Sequence, residues 1–320
     1  MGAPLRIVFL GTSAFAVPTL KAVAQGSDSL TAVITRPDRP AGRGRRLRPP
    51  PIKVAALELG LPLLQPERVS VGTGLEQLRG LRPDVLLVAA YGEILKEEVL
   101  SLPRLGPVNL HASLLPKWRG AAPIQRALLA GETETGVTAQ WMATGLDTGD
   151  VILQRGLPIG LDDSFGSLHD RLADLAAQIA LETLDLIRRG AAPHLPQDHS
   201  AATYAPPIRR EELLLDWRQP VEQVINAVRA FSPRPGARTY DRGRLLKVLG
   251  ARAGKRVEAR RGQPGGIVEI FQEGLHVQTG SDSLIILQVQ PEGRTPMSAG
   301  DYALGRRLQR GQILGPEITE

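Results

Sequence analysis

The sequence predicts an α/β protein in which an open, mostly parallel sheet is followed by a linker and a small β-barrel or sandwich. Three observations support this. A chain of 320 residues is longer than most single cores, so two domains are expected. Short apolar runs alternate with helical stretches through the first 160 residues or so, which is typical of a parallel sheet with helices on both faces. Beyond residue 208, short strand-like runs are separated by glycines and polar turns, as in small β domains.

The N-terminal part contains the stronger periodic signals. Its predicted strands are Arg6–Leu10, Leu30–Thr35, Asp84–Ala89, Val108–Leu110 and Gly136–Met142. Its predicted helices are Pro18–Ala24, Ile52–Leu59, Gly120–Ala130 and Leu168–Arg189. The run at Asp84–Ala89 is apolar on both faces, which favours a central strand of a parallel sheet. We therefore assign residues 1–189 to one α/β domain.

Residues 190–208 interrupt this pattern with four prolines and little periodicity, so they are predicted to be a linker. Residues 209–320 then form the second domain, with a helix at Val221–Ala230 and a last helix from Ser298, where Asp301 occupies the third position of a capping box. Its predicted strands are Ala237–Tyr240, Leu245–Leu249, Gly266–Ile270, Leu275–Thr279 and Leu284–Val289.

Composition excludes several classes of function. The chain has no cysteine, which rules out disulfides, thiolate nucleophiles and cysteine-bound metals, and its histidines are too dispersed for a metal site, so no metal is expected. A dinucleotide site would show G-x-G-x-x-G after the first strand, but only Gly11 is present there. The apolar run at the N-terminus is too short for a signal peptide or a membrane span, so we expect a cytoplasmic protein with no membrane partner.

The distribution of charge indicates a polyanionic partner. The net charge is +6, and residues 209–320 hold 18 Lys and Arg against 13 Asp and Glu. Residues 36–48 contain six arginines and one acid, Asp38, with prolines and glycines that exclude a regular helix. Arginines in such a loop bind phosphates and reach base edges. The alternatives are an ordinary solvated charge run and a composition rich in Arg, Pro, Ala and Gly that simply reflects the base composition of the genome.

Three polar residues suggest acyl-type chemistry. Asn109 and His111 are two apart on one predicted strand, so their side chains share a face. Both can donate a hydrogen bond to the oxyanion of a tetrahedral intermediate, and Asp147 can orient the imidazole or relay a proton. Each residue considered alone is more often structural, because Asp147 lies in a turn and single histidines on strands usually serve packing.

The motif around these residues favours a catalytic role over a structural one. The run N-L-H-A-S-L-L-P-K-W-R-G-A-A-P-I at 109–124, with G-V-T at 136–138 and G-L-D-T-G-D at 145–150, resembles the methionyl-tRNA formyltransferases within the 10-formyltetrahydrofolate-dependent formyltransferases. Shorter matches extend the resemblance almost from end to end: RIVFLGT at 6–12, TRPDRPAGRGRR at 35–46, AYG at 90–92, QD…ATYAP at 197–206 and PMSAGD at 296–301.

The resemblance implies a formyl transfer from 10-formyltetrahydrofolate to the α-amino group of initiator methionyl-tRNA by a monomeric enzyme. It implies a Rossmann-like N-terminal domain and a C-terminal barrel related to the OB-fold. The residues at matching positions are, for catalysis, Asn109, His111 and Asp147; for folate, Ser113, Leu114, Leu115 and Pro116; and for the tRNA acceptor end, Arg36, Arg39, Arg43, Arg45 and Arg46.

Further basic residues of the C-terminal domain are candidates for phosphate contacts with the tRNA body: Arg229, Arg234, Arg238, Lys247, Arg252, Lys255 and Arg256. Two other readings stay open. A related enzyme acting on a small amine, or a hydrolase of formyltetrahydrofolate, would keep the polar trio without needing the arginine-rich loop. A nucleic-acid-binding protein with an inactive α/β domain would not need the trio.

Overall fold

A computed structural model describes residues 3–41, 46–254 and 262–315. The chain divides into two compact units. The first comprises Met1–Pro123, Glu134–Pro158 and His169–Ala205, and the second comprises Ile124–Thr133, Ile159–Leu168 and Pro206–Glu320. The domain bounds of 1–189, 190–208 and 209–320 stay a prediction, and these units do not follow them residue by residue, because two internal segments group with the second unit.

The strands and helices are numbered along the chain. The strands are β1 (Arg6–Gly11), β2 (Ser29–Ile34), β3 (Arg39–Ala41), β4 (Arg46–Arg48), β5 (Leu63–Leu64), β6 (Val85–Ala89), β7 (Gly106–His111), β8 (Arg119–Gly120), β9 (Glu134–Trp141), β10 (Val151–Pro158), β11 (Tyr204–Ala205), β12 (Ala237–Asp241), β13 (Arg244–Ala253), β14 (Ile267–Ile270), β15 (Leu275–Gln278), β16 (Ser283–Pro291) and β17 (Met297–Ser298). The α-helices are α1 (Val17–Ala24), α2 (Pro51–Glu58), α3 (Gly72–Gly80), α4 (Glu97–Leu100), α5 (Pro123–Ala130), α6 (Phe165–Arg188), α7 (Val221–Phe231) and α8 (Ala299–Arg306). Among the described residues, no helix combines the length and apolar character needed to cross a membrane.

The first unit is built on a seven-stranded sheet in the order β10-β9-β7-β6-β1-β2-β5. The strands from β7 to β5 pair in parallel, whereas β9 pairs antiparallel with both β7 and β10. All five residues of β6 are buried, as expected for a central strand covered on both faces. The sequence therefore predicted the mostly parallel sheet correctly, and it missed the antiparallel edge strand β10.

The second unit contains an antiparallel sheet in the order β12-β13-β16-β15-β14, with β17 pairing on β16. Helix α7 buries Val224, Val228 and Phe231 along one face, in keeping with the amphipathic pattern of its sequence. Ser298 caps α8 by accepting a hydrogen bond from the backbone N–H of Asp301 at 3.0 Å, which confirms the predicted start of that helix. The predicted small β domain is confirmed.

Several bounds differ from the sequence prediction, and two differences lie close to the predicted catalytic residues. Helix α5 begins at Pro123 rather than at Gly120, because Gly120 adopts a φ of 119° and belongs to the short strand β8. The predicted linker is also partly ordered by pairing, since β11 lies parallel to β8 with Ala205 opposite Gly120. Proline-rich composition indicated the absence of a long helix there, but it gave no signal for a two-residue strand.

Candidate active site

Strand β7 presents two of the predicted catalytic side chains at its C-terminal end. Asn109 is partly buried and His111 is only 6% exposed. The antiparallel neighbour β9 places Gln140 opposite Asn109 and Thr138 opposite His111. The carboxyl ends of β1, β6 and β7 lie side by side at this edge, which is where open α/β sheets bind their ligands.

Asp147 joins this group from the turn between β9 and β10. Its Oδ2 atom accepts a hydrogen bond from the Gly120 N–H at 2.9 Å, and its Oδ1 atom accepts one from Gln140 Nε2 at 3.0 Å. Asn109 Nδ2 lies 3.4 Å from Oδ1, and His111 Nδ1 lies 3.5 Å from Oδ2. The structure therefore brings the predicted catalytic trio together around one largely buried carboxylate, whose side chain is 12% exposed.

The imidazole of His111 is held from both sides. Its Nε2 atom lies 2.9 Å from the carbonyl oxygen of Trp118, while Nδ1 faces Asp147. A carbonyl oxygen can only accept a hydrogen bond, so Nε2 carries the proton in this contact. Nδ1 is then the ring nitrogen without a proton in the neutral imidazole, and it faces the Asp147 carboxylate.

The turn after β7 is held by one internal hydrogen bond and by three from neighbouring strands. Ser113 Oγ donates to the Lys117 carbonyl at 2.6 Å, and its carbonyl accepts from Thr138 Oγ1 at 2.6 Å. The N–H of Leu115 donates to Thr138 Oγ1 at 3.1 Å, and the Leu115 carbonyl accepts from Gln154 Nε2 at 2.9 Å. Ser113 and Leu115 are buried, while Leu114 and Pro116 are partly exposed. Leu114 and Pro116 are therefore the two residues of the predicted folate contact that the turn leaves partly exposed.

Gly11 ends β1 at the same edge of the sheet. A Cβ atom there would lie 2.7 Å from the Phe9 ring and 3.1 Å from Ala16, so only glycine fits without displacement. Thr12 follows, and its hydroxyl donates to the Tyr91 carbonyl at 2.6 Å. This close packing explains why a glycine is needed at the end of β1.

The arginine-rich segment forms a β-hairpin at its described ends. Strands β3 and β4 pair antiparallel, with Arg39 opposite Arg48. Arg39 is exposed, whereas Arg36 is bound at the base of the hairpin: its Nη1 atom donates to Glu93 Oε2 at 2.7 Å and to the Glu67 carbonyl at 3.1 Å. Arg43 and Arg45 lie outside the described residues, and for Arg46 only the backbone is described.

One basic residue of the C-terminal domain has a structural task. Arg229 donates to the carbonyls of Asp163 at 2.7 Å and Gly160 at 2.6 Å, and burial lowers the pKa of its guanidinium. No described contact distinguishes four further basic candidates as tRNA ligands: Arg234, Arg238, Lys247 and Arg252. Two others, Lys255 and Arg256, lie outside the described residues. Within the described ranges, no group of three or more His, Asp or Glu side chains is arranged to hold a metal ion.

Sequence reasoning missed residues that surround the trio. Gln140 Nε2 donates to the Asp147 carboxylate and Gln197 Nε2 to the Asp147 carbonyl, while the Trp118 carbonyl binds His111 and the Gly120 N–H binds Asp147. Gln140 could have been found only by knowing that β9 runs antiparallel to β7 in this register. Gln197 lies in a segment that composition marks as a linker, although it begins one of the short matched motifs.

Comparisons with known proteins agree with this architecture. Residues 5–184 match the family model described as "Formyl transferase", and residues 207–307 match the one described as "Formyl transferase, C-terminal domain". A methionyl-tRNA formyltransferase of Moorella thermoacetica is 48% identical over 97% of this chain and 99% of its own length. One of Geobacter sulfurreducens is 44% identical over 98% of both chains.

Solved structures share the fold at low sequence identity. An N-formyltransferase from Helicobacter canadensis, solved with folinic acid and dTDP-3-aminofucose, matches with a TM-score of 0.67 at 17% identity, covering 88% of this chain and 99% of its own. HypX from Aquifex aeolicus, solved with tetrahydrofolic acid, matches with a TM-score of 0.66 at 17% identity, over 94% of this chain and 47% of its own.

Proposed function

The chain belongs to the formyl transferase family, and we propose that it transfers the formyl group of 10-formyltetrahydrofolate to the α-amino group of initiator methionyl-tRNA. The choice of acceptor follows the methionyl-tRNA formyltransferases, which match at 42–48% identity over nearly the whole chain. The observation that carries the chemistry is the convergence of Asn109, His111 and Asp147 at the carboxyl edge of the sheet.

The reaction needs stabilisation of developing negative charge. The neutral amine attacks the formyl carbon and forms a C–N bond, and the formyl oxygen becomes an oxyanion. Asn109 Nδ2 makes only a long contact of 3.4 Å with Asp147, so this amide is available to donate to the oxyanion. His111 contributes a second donor once Nδ1 has taken the proton of the attacking nitrogen, because this N–H then lies between Asp147, at the long distance of 3.5 Å, and the oxyanion.

The reaction also moves protons. The attacking nitrogen loses a proton after the C–N bond forms, and N10 of tetrahydrofolate gains one as its bond to the formyl carbon breaks. His111 Nδ1 serves as the group that holds the proton in transit, and Asp147 stabilises the resulting imidazolium at 3.5 Å. The scheme uses no covalent enzyme intermediate and no metal, and it takes the enzyme as a monomer.

Folate and tRNA are assigned to different parts of the first unit. Ser113, Leu114, Leu115 and Pro116 contact the folate, with the two partly exposed side chains of the turn facing the ligand. Arg39, Arg43, Arg45 and Arg46 engage the acceptor end through phosphates and base edges. Arg36 supports them from the base of the hairpin, because its guanidinium is already bound to Glu93 and Glu67.

A formylation assay tests the proposal directly. Purified protein is incubated with 10-formyltetrahydrofolate and initiator methionyl-tRNA, beside free methionine and deacylated tRNA. Product on the charged tRNA alone supports the proposal. Folate turnover without formylated tRNA would instead identify a hydrolase or an enzyme acting on a small amine.

A further inference from the structure

We propose that Gln197 is a positioning residue for Asp147, and that residues 197–205 are part of the active site rather than of an interdomain linker. The inference rests on the proposed function, because it assigns Gln197 a role in the reaction of the trio. Gln197 is 8% exposed, although exposed residues flank it on both sides. A buried amide in an otherwise solvent-exposed segment requires partners inside the protein.

The two shortest contacts of the Gln197 NH2 group are with the main chain of the turn that carries Asp147, and a longer one of 3.4 Å is with Gln140 Oε1. Gln197 Nε2 lies 2.9 Å from the Asp147 carbonyl and 2.7 Å from the Gly149 carbonyl, and it donates to both. Asp147 adopts a φ of 51°, a conformation that a residue with a Cβ atom rarely takes. Two hydrogen bonds across the turn help to hold this backbone conformation and therefore the direction of the carboxylate.

Arg119 determines which end of the Gln197 amide faces the turn. Its Nη2 and Nε atoms donate to Gln197 Oε1 at 2.7 Å and 3.2 Å. A guanidinium has no acceptor, so the amide oxygen must face Arg119 and the NH2 group must face the two carbonyls. Arg119 is itself 2% exposed and contacts His199 Nδ1 at 2.9 Å.

The same segment holds the main-chain groups that contact His111 and Asp147. Thr203 accepts from the Trp118 N–H through Oγ1 at 2.9 Å and from the Arg119 N–H through its carbonyl at 2.9 Å. Ala205 pairs with Gly120, where a Cβ atom would lie 2.8 Å from the Ala205 carbonyl. The strip 118–120 in turn supplies the carbonyl bound by His111 and the N–H bound by Asp147.

Gln197 therefore acts through the turn and has no direct contact with the Asp147 carboxylate. Losing it leaves two carbonyls without their donor and removes a restraint on a strained residue. Displacement of a catalytic group by about 1 Å costs on the order of a hundredfold in rate. The expected effect of disturbing Gln197 is a lower kcat with nearly unchanged KM for folate and tRNA.

The experiment compares Gln197→Glu with Gln77→Glu in the full-length protein. Glutamate keeps an acceptor for Arg119 but places a carboxylate oxygen against the two carbonyls in place of the donor. Gln77 is exposed on α3 and provides the matched control. We expect Gln197→Glu to lower kcat at least about tenfold, and Gln77→Glu to leave it within about twofold.

A double-variant comparison separates positioning from general destabilisation. In an Asp147→Ala background, single-turnover rates should show no further loss from Gln197→Glu, because the carboxylate to be positioned is absent. Gln197→Met keeps the size without the hydrogen bonds, and it provides the same comparison if the glutamate variant does not fold.

Two results would overturn the inference: a kcat within about threefold of wild type in a folded Gln197 variant, or an equal loss in the presence and absence of Asp147. The wild-type formylation assay decides the proposed function separately. If wild type turns over folate with another acceptor, the same comparison is made on that reaction.

Discussion

His111 Nε2 lies 2.9 Å from the carbonyl oxygen of Trp118, a residue whose φ of 61° turns that carbonyl back toward the strand it follows. The contact assigns the ring proton of neutral His111 to Nε2 and leaves Nδ1 to face Asp147. Trp118 therefore contributes to the site through its backbone, and its position depends on Thr203 in the segment once assigned to a linker.

This geometry predicts the tautomer of His111. When its imidazole is neutral, the proton should reside on Nε2, because a carbonyl oxygen cannot donate a proton in return. Two-bond ¹H–¹⁵N correlation spectra of ¹⁵N-histidine-labelled protein measure this directly, and the His111→Gln variant identifies the resonance. A neutral ring protonated on Nδ1 would contradict the orientation described here.

Replacement of His111 tests its place in the reaction. His111→Ala should lower turnover by at least about a hundredfold, in line with loss of an oxyanion donor or a general acid–base group. His194 is a matched control, because it is exposed and stacks on Trp141 at a ring-centroid distance of 5.0 Å. His194→Ala should retain nearly full turnover, and near-normal rates in His111→Ala would remove that residue from the mechanism.

The arginines of residues 36–48 should divide into two groups. Arg43→Ala should raise the KM for tRNA without changing folate affinity, and an equal loss of folate affinity would show that the segment supports the site instead. Arg36→Ala, unlike Arg43→Ala, should lower the free energy of unfolding by about 2 kcal/mol, because it leaves the 8%-exposed Glu93 carboxylate without its cation.

Arg39→Ala is the matched control for that loss of stability. Its ion pair with Glu67 joins two exposed side chains at 3.4 Å, so it should contribute less than about 1 kcal/mol. Urea denaturation of the three variants measures these differences. Equal stability of the Arg36 and Arg39 variants would contradict the structural role of Arg36.

Asp216 should respond to acid in a defined way. Hydrogen bonds from the Arg218 side chain, opposed by partial burial, lower its pKa to about 2. A depressed folded-state pKa stabilises the fold fully above the unfolded value of 3.8 and loses that effect as the pH falls toward 2. Carboxyl ¹³C NMR titration should show this pKa, and Arg218→Ala should raise it toward 3.8; an unchanged pKa in that variant would exclude the Arg218 contact as the cause.

The sequence by itself determined the elements with strong periodicity. Two domains and a mostly parallel sheet could be predicted from three features. These are the run of β6 that is apolar on both faces, the alternation of strands and helices, and the change to short strand-like runs after the prolines. Hydrophobic patterning is a local property of the chain, so it predicts a strand or helix without knowledge of the elements that pack against it. The spacing of Asn109 and His111 on one strand was likewise readable, because alternate residues of a strand share a face.

Tertiary structure alone decided how the trio is held. Asp147 is 36 residues from His111 in sequence, and no local pattern places its carboxylate against the imidazole. Gln140 reaches the Asp147 carboxylate because β9 pairs antiparallel with β7, and Gln197 reaches the Asp147 carbonyl from a segment whose composition indicates irregular structure. Such contacts depend on long-range pairing and on single hydrogen bonds to main-chain carbonyls, which leave no periodic trace in the chain. The motif therefore identified the chemistry, and only the folded chain showed which residues hold its groups in place.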